Sequence, residues 1–173
     1  MNVASTLAKF VPSADRPTNV IRDSWNTLRE LPGGSRIFSR LIGMMAPYTG
    51  TIDAHITTLR PGYAEVVLRD RRAVRNHLKS VHAVALANLA ELTGNVALAY
   101  SLPDDGRFIV AQMSVEYLKK ARGTLRGVCE APIPESSERR EYEVAVDILN
   151  EAGEVVARAS LRSLVGPKPP PRA

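Results

Sequence analysis

One carboxylate, Glu91, lies in the middle of an almost wholly apolar stretch, residues 80–102, that contains no proline. Alanine, leucine and valine fill both sides of this stretch, which predicts a helix buried all round. An acidic group on a buried helix costs free energy unless it is paired with a cation or takes part in chemistry. A carboxylate there can act as a general base or a nucleophile, so Glu91 is the first candidate functional residue.

A short polar loop precedes this helix and contains Asn76 and His82. The first backbone N–H groups of a helix, here at about His82 and Ala83, have no carbonyl partner within it. They lie at the positive end of the helix dipole and can stabilise negative charge that develops on an oxygen. The side-chain amide of Asn76 could orient a water molecule or a substrate. Together these groups could polarise a carbonyl.

Each of these residues also has a purely structural interpretation. Glu91 could be paired with an arginine, such as Arg75 or Arg126. His82 could cap the helix, and Asn76 could be an ordinary turn residue. His55 and His77 are interpreted as structural or exposed.

The order of the predicted elements is two strands, one long helix and four strands. A hairpin spans residues 51–69, the helix spans about 81–100, and the later strands span 108–118, 124–131, 140–149 and 154–165. On the third strand, alternation predicts one shared face, formed by Ile109, Ala111, Met113, Val115 and Tyr117. One curved antiparallel sheet wrapped around the single helix satisfies this order, which is an α+β fold.

Residues 1–50 are predicted to form an irregular arm, 1–18, followed by helices at about 20–31 and 36–45 that pack on the domain. We expect no chemistry on these helices. The domain itself is predicted to span 51–166, and the Pro-rich residues 167–173 to be a disordered tail.

Composition limits the function classes. A chain of 173 residues with a single cysteine, Cys129, is expected to be one domain without internal disulfides or a cysteine-based metal site. It has no apolar run long enough to span a membrane and no signal-peptide pattern, so we expect a cytoplasmic protein. The net charge of +5 is modest and its arginines are scattered, so nucleic acid and membrane are not expected partners.

The spacing of the candidate residues carries a family resemblance. Asn76 is followed six residues later by His82 and nine residues further by Glu91. This pattern resembles the signature of hotdog-fold acyl-CoA thioesterases of the phenylacetate-pathway (PaaI-like) branch, N-x2-G-x-x-H-G-G-x6-[DE]. The strand order agrees over roughly residues 51–165. The chain departs from the pattern at the glycines, whose positions hold Lys79, Ala83 and Val84.

The resemblance implies hydrolysis of an acyl-CoA thioester without a metal or other cofactor. Glu91 would act as general base or nucleophile, the Ala83 N–H as oxyanion hole, and Asn76 and His82 would complete the catalytic set. A separate basic bend, formed by Lys119, Lys120 and Arg122, could contact the phosphates of coenzyme A.

Helix geometry adds a condition on the assembly. Nine residues at about 100° and 1.5 Å each place Glu91 and His82 on opposite sides of the helix, about 13.5 Å apart along it. One chain cannot easily bring both to the same carbonyl, whereas two antiparallel chains can. We therefore predict a homodimer with a site shared across its twofold axis, with a dimer of dimers as a further option.

Two other functions stay open. The missing glycines favour a non-catalytic hotdog module that binds acyl-CoA or lipid, since glycine lets a thioester approach the backbone closely. A dehydratase of the same fold is a third option.

Overall fold

The computed structural model describes residues 18–170. The helices are α1 (Val20–Leu28), α2 (Gly34–Met45), α3 (Pro47–Gly50) and α4 (Ala83–Ser101), with one 3₁₀ turn at Arg72–Val74. The strands are β1 (His55–Arg60), β2 (Tyr63–Leu68), β3 (Gly106–Tyr117), β4 (Leu125–Glu130), β5 (Arg140–Leu149) and β6 (Val155–Pro167). The predicted elements are therefore present, and α3 is an addition.

All six strands form one antiparallel sheet in the order β1-β2-β4-β5-β6-β3, so β1 and β3 are its edges. Helix α4 packs against all of its strands. The predicted α+β architecture, a sheet wrapped around one long helix, is confirmed.

Small residues let α4 approach the sheet closely. A methyl group on Gly127 of β4 would overlap the Thr93 hydroxyl, which donates to the Leu89 carbonyl at 2.7 Å. A methyl group on Gly94 would stand only 3.2 Å from Leu161 and Val146. The helix is therefore held by close backbone packing as well as by its leucines.

The face predicted for β3 is wrong in part: Met113, Val115 and Tyr117 share one face as predicted, but Ile109 does not. A bulge between Val110 and Gln112 leaves Ala111 without a partner on β6. One extra residue reverses the alternation of faces, so Ile109 lies on the outer face, whereas Met113 lies opposite the buried Leu161 on the inner face. The inner face of β3 comprises Phe108, Val110, Met113, Val115 and Tyr117.

Element boundaries differ from the predictions by a few residues. Helix α1 stops at Leu28 because a succession of turns follows, in which the N–H groups of Leu31 and Gly34 each bond the carbonyl three residues earlier. Strand β6 continues to Pro167, and the Lys168 ammonium donates to the Thr18 and Asp104 carbonyls. The arm at 1–17 and the last part of the tail, 171–173, lie outside the described residues.

The N-terminal helices are fixed to the domain by specific contacts. Trp25 of α1 meets Phe38 of α2 edge to face at a ring-centroid distance of 5.2 Å. The Ser39 hydroxyl of α2 accepts a hydrogen bond from the Ile56 N–H of β1. Among residues 18–170, no helix is both long enough and apolar enough to cross a membrane.

Candidate active site

The loop before α4 is folded around Asn76. Its side-chain oxygen accepts hydrogen bonds from the N–H groups of Leu78 at 2.9 Å and Ser80 at 3.2 Å, and its own N–H donates to the Ser80 carbonyl. The Asn76 oxygen is therefore committed to the turn, and the Nδ2 group is left for other partners. The role of Asn76 in orienting water or substrate stays a prediction, and that role would fall to Nδ2.

Lys79 occupies a position at which the resembling family has glycine. Its φ is +55°, in the left-handed region that disfavours most side chains. The Lys79 N–H donates to the Asn76 carbonyl at 3.2 Å, which helps to hold this conformation. The loop therefore keeps a backbone conformation that favours glycine although the glycine is absent.

His82 is the N-cap of α4. Its Nδ1 accepts the Val84 N–H at 3.1 Å, which requires the neutral ring with its proton on Nε2. Within one chain, His82 therefore acts as the helix cap that its structural interpretation predicted. Ala83 is the first helical residue, and within residues 18–170 its N–H has no hydrogen-bond partner. That group is available to an oxyanion.

Glu91 lies on α4, partly buried, and makes no ion pair or hydrogen bond with any residue in the described part of the chain. Both arginines considered as its partners are engaged elsewhere. Arg75 pairs with Asp70 at 2.6 Å, and Arg126 lies 3.6 Å from Glu65. The structural alternative for Glu91, an internal salt bridge, therefore has no support.

Two asparagines that the sequence did not single out flank Glu91. Asn88 and Asn95 lie three residues before and four residues after it, which places all three side chains on one face of α4. Asn88 is only 5% exposed, and the side-chain oxygens of both asparagines are buried without a partner in the described structure. Buried amide oxygens normally accept a hydrogen bond, so this face is suited to a polar ligand or a bound water.

A cavity of about 830 Å³ lies between α2, α3 and β1, and Leu92 of α4 forms part of its wall. Leu92 follows Asn88 by one helical turn. The Asn88 Nδ2 group donates to the Tyr48 carbonyl at 3.2 Å, and the two neighbours of Tyr48, Pro47 and Thr49, also line the cavity. The polar face of α4 and the cavity are therefore adjacent.

The basic bend contacts the loop before α4. The Ala121 carbonyl accepts bonds from the Val81 N–H at 2.8 Å and the Ser80 hydroxyl at 2.7 Å. Of the predicted phosphate contacts, Lys119 pairs with Glu154, whereas Lys120 and Arg122 are exposed. Within residues 18–170, no three His, Cys, Asp or Glu side chains come together as metal ligands.

His55 provides a pH-sensitive marker beside the cavity. Burial lowers its pKa below the ordinary 6.5, and the charges of Arg36 and Arg69 lower it further. Its Nε2 lies 3.0 Å from the Ser35 hydroxyl. Because the unfolded chain binds the proton more readily, His55 reduces the free energy of unfolding as the pH falls below about 6.5 towards its lower folded pKa.

We expect the His55→Gln variant to lose less stability than wild type across that window. Urea denaturation at a series of pH values measures the difference, and proton NMR of the imidazoles gives the pKa directly. An unchanged pH dependence would show that His55 is not perturbed.

Comparison with known proteins places the chain in a family. The family described as "Domain of unknown function (DUF4442)" matches residues 34–165, from the start of α2 to the last part of β6. The chain belongs to the DUF4442 family. The family's matched region therefore includes α2 and α3 as well as the sheet and α4. A search of curated proteins found no match.

Solved structures resemble this DUF4442 protein over most of its length. A structural-genomics protein is 34% identical, with 85% of this chain and 98% of that chain covered and a TM-score of 0.74. A Pseudomonas aeruginosa protein described as a "probable thioesterase" is 23% identical, with 79% and 97% covered and a TM-score of 0.67. A thioesterase family protein from Silicibacter pomeroyi is 18% identical, with 75% and 96% covered and a TM-score of 0.64. The predicted hotdog fold is confirmed.

Proposed function

We propose that this DUF4442 protein is an acyl-CoA thioesterase whose site is shared between two chains. The observation that carries the proposal is the state of Glu91, a carboxylate on a largely buried helix that has no partner within residues 18–170. Such a group is retained at a cost unless it has a chemical role. Hotdog-fold relatives described as thioesterases agree with that role.

The proposed reaction begins with a water molecule beside Glu91. The carboxylate takes one proton as the water oxygen attacks the thioester carbonyl carbon, and the carbonyl oxygen becomes an oxyanion. The Ala83 N–H of the other chain donates to that oxyanion. When the C–S bond breaks, the proton on Glu91 passes to the sulfur, so the products are a carboxylic acid and coenzyme A. Direct attack by Glu91 would break the C–S bond, expel coenzyme A as its thiolate and give a mixed anhydride, which water then hydrolyses to the carboxylic acid and free Glu91.

Asn88 and Asn95 supply what a bound water needs besides the base. A water that donates one hydrogen to Glu91 still has a second to place, and an unpartnered amide oxygen can accept it. The two asparagine oxygens lie within a turn of Glu91 on the same helix face. We therefore propose that one of these two oxygens accepts that hydrogen and positions the water.

The dimer is supported by surfaces that one chain leaves uncovered. Strand β3 is a 12-residue edge strand, and such an edge presents backbone N–H and C=O groups with which another strand can pair. On its inner side Tyr117 is 51% exposed, and Val84 at the start of α4 is 50% exposed. The Tyr117 hydroxyl donates to the Ala83 carbonyl at 3.1 Å, which places the edge of the sheet beside the helix start. A second copy on this edge would cover these side chains and bring another Glu91 near Ala83.

A non-catalytic acyl-CoA-binding module is the second candidate. The side chains of Ala83 and Val84 stand where the resembling family has glycine, and the Val84 N–H is already bound to His82. Fewer N–H groups are therefore free for an oxyanion than at a helix start that is not capped in this way.

Turnover of an acyl-CoA panel, followed with a thiol-detecting reagent, separates the candidates. We expect release of coenzyme A from at least one acyl class. The protein's own thiol will not interfere, because Cys129 is 1% exposed and burial raises its pKa to about 12. Binding without turnover across the panel would exclude the enzyme and leave the binding module.

A further inference from the structure

Three arginines from two parts of the chain converge on the cavity beside α4. Arg36 and Arg40 are one turn apart on α2 and share a face, and Arg69 follows β2. All three line the cavity and are exposed. Within residues 18–170, none of them has an ion pair or a side-chain hydrogen bond.

The charges at the mouth of this cavity are unbalanced. Asp53 is the one carboxylate among its lining residues in the described chain. Two of the arginines, Arg36 and Arg69, are close enough to the same side chain that both lower the pKa of His55. Like charges held together without counterions repel one another, and a bound anion would relieve that repulsion.

The rest of the cavity is suited to an uncharged chain. Its wall includes apolar side chains, among them Ile42, Val67 and Leu92. These side chains would cover the methyl and methylene groups of a bound chain.

We propose that this cavity binds the coenzyme A part of the substrate, with its phosphates at Arg36, Arg40 and Arg69. The pantetheine arm would run along the apolar wall towards α4 and bring the thioester to Glu91. The inference rests on the proposed function for its ligand, but it concerns binding and not turnover. It gives the helix α2 a functional role beyond the packing that the sequence predicted.

The basic bend is the competing phosphate site, and two features disfavour it. Lys119 is already paired with Glu154 at 2.6 Å, which reduces the bend's charge. The cavity, whose wall includes Leu92 of α4, is lined by the two arginines of α2 and by Arg69 after β2, and by none of the three basic residues of the bend. A ligand whose phosphates bind Arg36 and Arg40 would therefore extend through the cavity towards α4.

Calorimetric titration with coenzyme A tests the proposal on the full-length protein. We expect the Arg36→Gln/Arg40→Gln variant to bind coenzyme A about tenfold or more weakly than wild type, since charge-assisted hydrogen bonds are lost. Arg69→Gln, on a separate element, should weaken binding as well and serves if the helix variant does not fold. Pantetheine, which lacks the phosphates, should bind all these proteins equally.

Variants of the basic bend serve as matched controls for the arginine variants. Arg122→Gln and Lys120→Gln should leave the affinity unchanged, and adenosine 3′,5′-bisphosphate should shift the His55 imidazole resonances in wild type. Unchanged affinity in the α2 and Arg69 variants, a loss confined to the bend variants, or no coenzyme A binding at all would overturn the inference. Binding that depends on the arginines but is not followed by turnover would reject the thioesterase and keep the inference. Turnover together with unchanged binding by the arginine variants would keep the thioesterase and reject the inference.

Discussion

Replacing Glu91 by glutamine is expected to abolish most of the thioesterase activity. The amide keeps the size of the side chain but cannot take a proton from water, so kcat should fall by about a hundred- to ten-thousandfold. Because Glu91 makes no ion pair or hydrogen bond within residues 18–170, the fold should not depend on its charge. Thermal unfolding of the variant should match that of wild type, since the substitution removes no contact with a described residue.

The measurement pairs steady-state hydrolysis of the best acyl-CoA with calorimetric binding of a coenzyme A ligand. Glu138→Gln serves as the control, because Glu138 is an exposed carboxylate on the β4–β5 loop. If the Glu91→Gln variant hydrolyses thioesters at the wild-type rate, Glu91 is neither base nor nucleophile and the proposed function is wrong.

Mixing two inactive variants is expected to restore activity. Glu91→Ala removes the base, and Ala83→Pro removes the oxyanion N–H at the first helical position, where proline is well tolerated. In a mixed dimer one of the two shared sites keeps both groups. Random mixing should then give about a quarter of the wild-type activity.

A double variant distinguishes shared sites from sites within one chain. When Glu91→Ala/Ala83→Pro chains are mixed equally with wild-type chains, shared sites leave about a quarter of the activity and separate sites leave about half. The subunits must be exchanged fully, which mass spectrometry of tagged chains can verify. A mixture of the single variants that stays inactive would place the whole site in one chain.

The pattern of apolar residues was sufficient to predict most of the fold. Strand β5 was predicted with its exact bounds, Arg140–Leu149, since its alternation is regular and turns flank it. The face of β3 could not be read in this way. One unpaired residue, Ala111, reverses the alternation, and nothing in the local sequence marks where pairing with β6 skips a position.

The residues of the candidate site also differ in whether the sequence could identify them. Glu91 stands out in the sequence because charge is rare on an apolar helix. Asn88 and Asn95 do not, since an uncharged amide in a helix gives no sign of whether its oxygen finds a donor. The arginines at 36 and 40 have a visible helical spacing, but their proximity to Arg69 arises only from the packing of α2 on β1. Contacts that depend on tertiary packing are the ones that sequence periodicity cannot supply.

The bulge at Ala111 has a further consequence for the edge strand on which we propose that a second copy docks. Because of the bulge, β3 has apolar side chains on both of its faces. Ile109 lies beside Leu164 on the convex side, and Met113 and Tyr117 lie on the concave side. A substitution on one of these surfaces therefore leaves the residues of the other unchanged, although both lie on one strand.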